Sequence, residues 1–152
     1  MAEQRTRFVG LHEHGLDDKG RMVLPARIRG QLGETGMVGM ANRCVGLWTI
    51  DGFDVIADRL SDAVDRGDAE PEAYSVFMAY AAEVTPDQQG RIVIPPRLRQ
   101  HADLGSEVIV TGRGPRAEIW APERWAAHVD KGATSPTEDG ADVSRTFETL
   151  RF

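Results

Sequence analysis

Two short segments of the chain carry the residues whose types and spacing suggest chemistry. Each contains an aspartate, a glycine and an arginine in the same order: Asp17, Gly20 and Arg21, then Asp87, Gly90 and Arg91. An aspartate that opens a turn can accept backbone N–H groups, and a glycine supplies the positive φ that other residues resist. Each turn therefore presents its arginine at a fixed place, and the planar guanidinium suits two-pronged contacts to phosphate or guanine.

The alternative for both arginines is an ion pair with the aspartate of the same turn, with the glycine serving only the backbone. A binding role is favoured if a dimer or ring brings several such turns to one surface. Phosphate neutralisation sums over contacts, and each contact steepens the salt dependence by roughly 0.9 in logarithmic slope. Arg21 and Arg91 are therefore the candidate binding residues.

The similarity extends beyond the turns, so the chain is a tandem repeat. Residues 16–29 match residues 86–99 in register, and Leu47-Trp48 is answered by Ile119-Trp120. We predict a first unit at 11–54, a helical connector at 55–80, a second unit at 81–126 and an acidic tail at 127–152. Units of this size cannot bury a large core alone, so they should pack on each other or on neighbouring chains.

Each unit is predicted to contain a short strand, a helical turn and a hairpin. Met22-Val23-Leu24 reads as a strand, and Pro25 ends it and starts a helical turn over 26–29. Residues 37–40 with 45–48, and 107–111 with 117–120, predict hairpins. Asp51 is expected to cap the helix that follows. In the connector, Pro71 starts a helix that should pack against a unit through one face: Tyr74, Phe77, Met78 and Ala81.

The bulk composition is typical of a soluble globular protein, with 41% hydrophobic and 28% charged residues. No apolar run approaches the ~20 residues that span a bilayer, and no apolar stretch follows the N-terminal basic residues as in a secretory signal. Cys44 is the single cysteine, which excludes an intramolecular disulfide and a thiolate zinc site and predicts a buried thiol. We therefore expect a cytoplasmic protein without membrane contact.

The charge distribution is more informative than its sum. The net charge of −6 argues against a nucleic-acid partner. Of the 18 basic residues, however, only Lys19 and Lys131 are lysines, and arginine supplies the rest. Arg27 and Arg97, like Arg29 and Arg99, lie in the predicted helices after the turns, where a solvated face or an ion pair with nearby acids is commoner than contact with DNA. Arg5 and Arg7 form a basic N-terminal arm that could reach a groove.

The remaining candidate residues favour structure over chemistry. His12 and His14 share a strand face, but a third metal ligand is not apparent, so surface histidines are the simpler interpretation. Trp48 and Trp120 are most simply core or interface anchors, with stacking on bases as the alternative. The sequence lacks a Gly-x-Ser-x-Gly nucleophile turn and a phosphate-binding Gly-x-x-x-x-Gly-Lys motif. We expect no enzyme, cofactor, metal or small-molecule substrate.

The paired Asp-x-x-x-Arg-x-x-x-Pro segments, each followed by an arginine-containing helical turn, a hairpin and a tryptophan, resemble the MraZ family over roughly residues 8–129. The resemblance implies a mainly β, α+β fold of tandem SpoVT/AbrB-like swapped-hairpin units, which form a double-split β-barrel with short helices. It also implies a ring-like homo-oligomer that binds direct repeats in double-stranded promoter DNA. As a member, the chain would repress cell-wall and division genes and associate with the nucleoid.

Carried over to this chain, the family's DNA-contacting turn falls on residues 17–21, with Arg21 as the principal contact and Lys19 beside it. Arg91 and Gln89 are the counterparts in the second turn. That turn has Gln88 and Gln89 where the first has Asp18 and Lys19, so the two need not contact DNA equally. The alternative function is an antitoxin-like or scaffolding module of the same barrel class whose partner is another protein; it predicts little salt-sensitive DNA binding.

Overall fold

A computed structural model describes residues 6–132 and 147–150 of the chain. Arg5 of the predicted basic arm and most of the predicted acidic tail lie outside these residues. The chain divides into two compact units, Met1–Ala121 and Pro122–Phe152, which are described separately.

The first unit is a mixed α+β structure whose ladders are all antiparallel among the described residues. Its strands are β1 (Leu11–Gly15), β2 (Arg21–Val23), β3 (Gly36–Met40), β4 (Val45–Thr49), β5 (Ala82–Val84), β6 (Arg91–Val93), β7 (Glu107–Gly112) and β8 (Ala117–Trp120). Its helices are α1 (Ala26–Leu32), α2 (Ile50–Asp65), α3 (Pro71–Tyr80) and α4 (Pro96–Ala102). The second unit contains α5 (Pro122–Gly132).

The two repeats build one sheet together. The six strands follow the order β1-β7-β8-β4-β3-β5, so each repeat contributes a hairpin to the middle and places its first strand beside the hairpin of the other repeat. The hairpins meet where β4 pairs with β8. The repeats thus pack on each other, which was one of the two arrangements predicted for units of this size.

A separate ladder joins the two remaining strands, β2 and β6, in an antiparallel ribbon of three residue pairs. Pro25 and Pro95 follow soon after these strands, and a proline has no N–H with which to continue a ladder. Among the described residues, the hydrogen-bonded ladders are this ribbon and the six-stranded sheet, and they do not close into the barrel that the family resemblance implied.

The core draws equally on both repeats because equivalent apolar positions face inward in each. Its buried side chains include equivalent pairs: Met22 and Ile92, Leu24 and Ile94, and Ile28 and Leu98. A second cluster centres on Trp48, which meets the ring of Phe53 edge-on at 5.8 Å. Trp120 and Cys44 are also buried. These positions confirm the tryptophans as core anchors and Cys44 as a buried thiol.

The structure confirms both predicted hairpins, as β3–β4 and β7–β8. The predicted cap of α2 was wrong: the side chain of Thr49, not Asp51, accepts the N–H of Gly52 at 2.9 Å, and Asp51 lies inside the first turn. Helix α3 begins at Pro71 as predicted. Only part of its apolar face packs, because Phe77 stacks on Phe53 at 5.4 Å while Met78 is exposed.

Two smaller findings concern the helices. In the described residues, every helix is too short or too polar to cross a membrane. Within α5, the rings of Trp125 and His128 lie 5.6 Å apart.

The two faces of the β2–β6 ribbon should respond differently to truncation. Met22 is 2% exposed and Val23 is 43% exposed on neighbouring positions of one strand. Met22→Ala should lower the free energy of unfolding by about 2–5 kcal/mol, since it removes buried methylene groups and leaves a cavity. Val23→Ala, the matched control, should cost about 1 kcal/mol or less. Equilibrium unfolding in urea at one protein concentration measures both; equal losses would contradict the assigned faces.

Candidate nucleic-acid interface

The first turn is held by a single carboxylate. Oδ1 of Asp17 accepts the backbone N–H of Lys19 at 3.0 Å and that of Arg21 at 2.8 Å. The carbonyl of Asp17 accepts the N–H of Gly20 at 2.9 Å. Gly20 has a φ of 77°, a value that residues other than glycine rarely adopt. Asp17 and Gly20 therefore shape the turn through these hydrogen bonds and the positive φ.

The second turn repeats this geometry. Oδ1 of Asp87 accepts the N–H groups of Gln89 and Arg91, both at 2.9 Å, and Gly90 has φ of 76°. Two copies that differ in sequence at the intervening positions thus keep the same hydrogen bonds. The hydrogen bonds of the turn therefore do not depend on which residues occupy the two intervening positions.

Both arginines form the ion pair that is the alternative to a binding role. Nε of Arg21 lies 2.7 Å from Oδ2 of Asp17, and Nε of Arg91 lies 2.9 Å from Oδ2 of Asp87. The arginine side chains remain 35% and 34% exposed. Each bond takes the single Nε–H, whereas the other four N–H groups of a guanidinium lie on its terminal nitrogens. The ion pairs therefore lie on the surface and fix the orientation of the two guanidinium groups.

Both turn aspartates have a lowered pKa. The backbone N–H of Arg21 is the main reason why the pKa of Asp17 falls below its ordinary value, with the Arg21 side chain and the N–H of Lys19 adding to the effect. The corresponding groups of Arg91 and Gln89 lower the pKa of Asp87. Partial desolvation opposes both shifts. The carboxylates are consequently ionised at neutral pH, as the ion pairs require.

The ribbon places the two arginines on one face. Residues two apart on a strand share a face, and directly paired residues lie on the same side. Arg21 pairs with Val93 and Val23 pairs with Arg91, so these four side chains form the outer face of the ribbon. Val23 and Val93 are 43% and 50% exposed, whereas Met22 and Ile92 between them are buried. The Cα atoms of Arg21 and Arg91 should lie roughly 8 Å apart diagonally, from the ordinary rise and spacing of strands.

Each turn is also attached to the opposite repeat. The carbonyl of Gly20 accepts the N–H of Ile94 at 2.8 Å, and the carbonyl of Gly90 accepts the N–H of Leu24 at 2.9 Å. These bonds extend the ladder beyond β2 and β6 and connect each strand end to the other turn. The position of one arginine therefore depends on the other repeat.

The remaining predicted binding residues fall into two groups. Lys19 and Gln89 are exposed within the turns, beside the outer face, and Arg27 is exposed on α1. Arg97 lies with its guanidinium over the ring of Tyr80, 5.0 Å from the centroid, so it already has a partner within the chain.

Val23 and Val93 were not predicted as surface residues. Their alternation with Met22 and Ile92 was the available signal, but it predicts opposite faces without saying which face is outside.

The histidine pair lies on β1. His12 and His14 are both half-buried, and burial lowers the pKa of His14, with the neighbouring charge of His12 acting in the same direction. Among the described residues, histidine, cysteine, aspartate and glutamate nowhere gather as three ligands that could hold a metal ion.

Comparison with known proteins shows which family the chain resembles in sequence. A family model described as "MraZ protein, putative antitoxin-like" matches residues 77–146, which include the second turn and β6. A protein named transcriptional regulator MraZ from Bifidobacterium longum is 38% identical over 137 residues, covering 90% of this chain and 91% of the relative. One of the same name from Thermomicrobium roseum is 37% identical over 145 residues, covering 94% and 99%.

A further relative from Arthrobacter sp. strain FB24, with the same name, is 37% identical over 142 residues and covers 92% of this chain and 99% of its own length. The similarity thus spans both repeats and both turns. Transcriptional regulators are not a class of enzyme. The chain belongs to the MraZ family of transcriptional regulators.

Proposed function

We propose that this chain regulates transcription by binding double-stranded DNA through the outer face of the β2–β6 ribbon and the two turns that flank it. The observation that carries the proposal is the register, which puts Arg21 and Arg91 on one exposed face. The major groove of B-DNA is about 12 Å wide and admits a two-stranded β-ribbon. The ribbon is a three-pair ladder with a guanidinium at opposite corners, which suits that groove.

The chemistry of the outer face matches both parts of a duplex. Guanidinium groups neutralise phosphate and can bind O6 and N7 of guanine with two hydrogen bonds, while apolar side chains contact the methyl group of thymine. Arg21 and Arg91 would supply the first contacts, and Val23 and Val93 the second. The Asp17 and Asp87 carboxylates hold the guanidinium groups in place before DNA arrives, so less side-chain freedom is lost on binding.

The flanking polar residues extend the proposed surface. Lys19 adds a cation to the first turn where the second has Gln89, so the first turn should supply the larger share of the phosphate contacts. Arg27 is a second candidate for a phosphate contact on the same repeat. We retain Arg97 as a weaker candidate, because a phosphate would compete with its contact to Tyr80.

Self-association is the second part of the proposal. One chain offers two turns and a net charge of −6, whereas the salt-dependent affinity for DNA grows with the number of phosphate contacts. A ring-like homo-oligomer would place several turns on one duplex, and direct repeats in a promoter would match their spacing. The family resemblance supports cell-wall and division genes as targets, repression as the outcome, and a cytoplasmic, nucleoid-associated location.

The fold is proposed in finer detail on the same grounds. The repeats at 11–54 and 81–126, separated by the connector at 55–80 and followed by the tail at 127–152, would be SpoVT/AbrB-like units with exchanged hairpins. The pairing of β1 with β7 and of β5 with β3, each across the two repeats, supports such an exchange.

A second candidate function is an antitoxin-like or scaffolding module of the same class, whose partner is another protein. The words "antitoxin-like" in the description of the matching family model favour it. It predicts little salt-sensitive binding to DNA, so a salt series separates the two functions.

The turn aspartates should make stability depend on pH. Both pKa values lie below the ordinary 3.8 in the folded chain, so the carboxylates stabilise the fold above that pH, and their contribution is lost as the pH falls through the folded values. The double variant Asp17→Asn/Asp87→Asn should unfold at lower urea than the wild type at pH 7, and this difference should shrink below about pH 4. Asp58→Asn, an exposed change on α2, is the control. An equal difference at both pH values would contradict the assignment.

Removing the first arginine should weaken DNA binding in a salt-dependent way. The probe is a duplex from the region upstream of the protein's own coding sequence, titrated between about 50 and about 200 mM salt. Arg21→Ala should lower affinity and reduce the logarithmic salt slope by roughly 0.9 for each phosphate that is no longer neutralised. Fluorescence anisotropy measures the binding, and circular dichroism checks the fold.

The matched control for this experiment is Arg66→Ala. Arg66 lies at the end of α2 and also forms a surface ion pair, with Asp68 at 3.1 Å. It should bind DNA like the wild type. If Arg21→Ala also binds like the wild type, and all three proteins show a flat salt dependence, the DNA-binding proposal fails and the protein-binding module is favoured.

A further inference from the structure

The glycine of each turn lies against an arginine from the other repeat. A Cβ atom at Gly20 would lie 2.9 Å from Cζ and Nε of Arg99, and 2.8 Å from the carbonyl oxygen of Ile94. A Cβ atom at Gly90 would collide with Nη1 of Arg29. Both turns need glycine for the positive φ, and at Gly20 the nearby carbonyl oxygen of Ile94 is a second reason; a Cβ at either glycine would also displace the guanidinium that lies against it. Only the first reason was visible in the sequence.

Arg99 is connected to the first turn through one intervening residue, Ile94. Its Nε donates a hydrogen bond to the carbonyl of Ile94 at 3.0 Å. The N–H of Ile94 in turn donates to the carbonyl of Gly20 at 2.8 Å. Arg99 is half-buried, so its guanidinium is partly withdrawn from solvent and packed on the turn rather than displayed beside it.

We propose that Arg99 and Arg29 are positioning residues, each of which holds the DNA-contacting turn of the opposite repeat. The inference rests on the proposed function, and it goes beyond it by assigning work to two arginines that do not themselves contact DNA. Arg99 holds the first turn and Arg29 holds the second, each from the opposite repeat. Because each repeat would hold the turn of the other repeat, this arrangement would explain why the two repeats belong to one chain.

Arg99 and Arg29 should not hold their turns equally strongly. Arg99 is half-buried and hydrogen-bonded to Ile94, whereas Arg29 is exposed at the surface of α1. Loss of Arg99 should therefore disturb its turn more than loss of Arg29 disturbs the other.

Amide hydrogen exchange in the full chain without DNA tests the proposal directly. Lysine keeps the charge but lacks the Nε–H donor and the planar fork. Arg99→Lys should speed exchange at Lys19, Gly20 and Arg21 by roughly three- to tenfold, the range that one lost hydrogen bond produces. The amides of Gln89, Gly90 and Arg91 should not change. Arg29→Lys should give the reverse pattern with a smaller effect.

Two references make the exchange result decisive. Arg59→Lys, an exposed change on α2, should leave both turns unchanged. Amides of the central strands at Val45 and Ile119, which pair with each other, report global opening. Unchanged exchange at both turns in Arg99→Lys would overturn the inference, and so would a uniform rise at the turns and the central strands.

A binding cycle separates failure of the inference from failure of the proposed function. Arg99→Lys should weaken binding to the upstream duplex in the wild-type background and have little further effect in Arg21→Ala, because a positioning residue acts through the arginine that it positions. Equal losses in both backgrounds would indicate a direct phosphate contact and overturn the positioning role. If Arg21→Ala itself binds normally, the proposed function fails, while the hydrogen-exchange data still decide whether Arg99 and Arg29 hold the turns.

Discussion

The antiparallel pairing of β2 with β6 couples the packing of the core to the placement of the turn arginines. These strands come from different repeats, so the ladder forms only when both repeats are folded against each other. The same register buries Met22 and Ile92 and turns Arg21 and Arg91 outward. A slip of one residue would exchange the two faces and bury the guanidinium groups. Packing of the core and placement of the proposed binding groups are thus one constraint.

The turns convert that constraint into fixed charges. Each aspartate accepts two backbone N–H groups through one oxygen and the arginine side chain through the other. Exposed ion pairs contribute little to stability, with a median of about 0–1 kcal/mol, so the value of these pairs lies in orientation. An acidic chain can in this way still present cations to an anionic duplex, because the attraction depends on local placement rather than on net charge.

Local sequence predicted the local structure well, and distant pairing was beyond it. The turns follow from Asp17, Gly20 and their counterparts, and the hairpins follow from alternating apolar strands around short polar loops. The β2–β6 register joins residues of different repeats, and no periodicity within one repeat specifies which partner a strand takes. The contacts of Arg29 and Arg99 to the opposite glycines were hidden for the same reason. The cap of α2 was misassigned because Thr49 and Asp51 are both good capping residues, and only the geometry distinguishes them.

Methyl NMR of the full chain during titration with the upstream duplex shows whether the outer face of the ribbon binds DNA. Four valines provide a matched set: Val23 and Val93 on the ribbon are 43% and 50% exposed, and Val55 and Val76 on α2 and α3 are 53% and 42% exposed. If the outer face binds DNA, the methyl resonances of Val23 and Val93 shift on titration while those of Val55 and Val76 stay in place. Shifts confined to Val55 and Val76 would contradict DNA binding by the outer face of the ribbon.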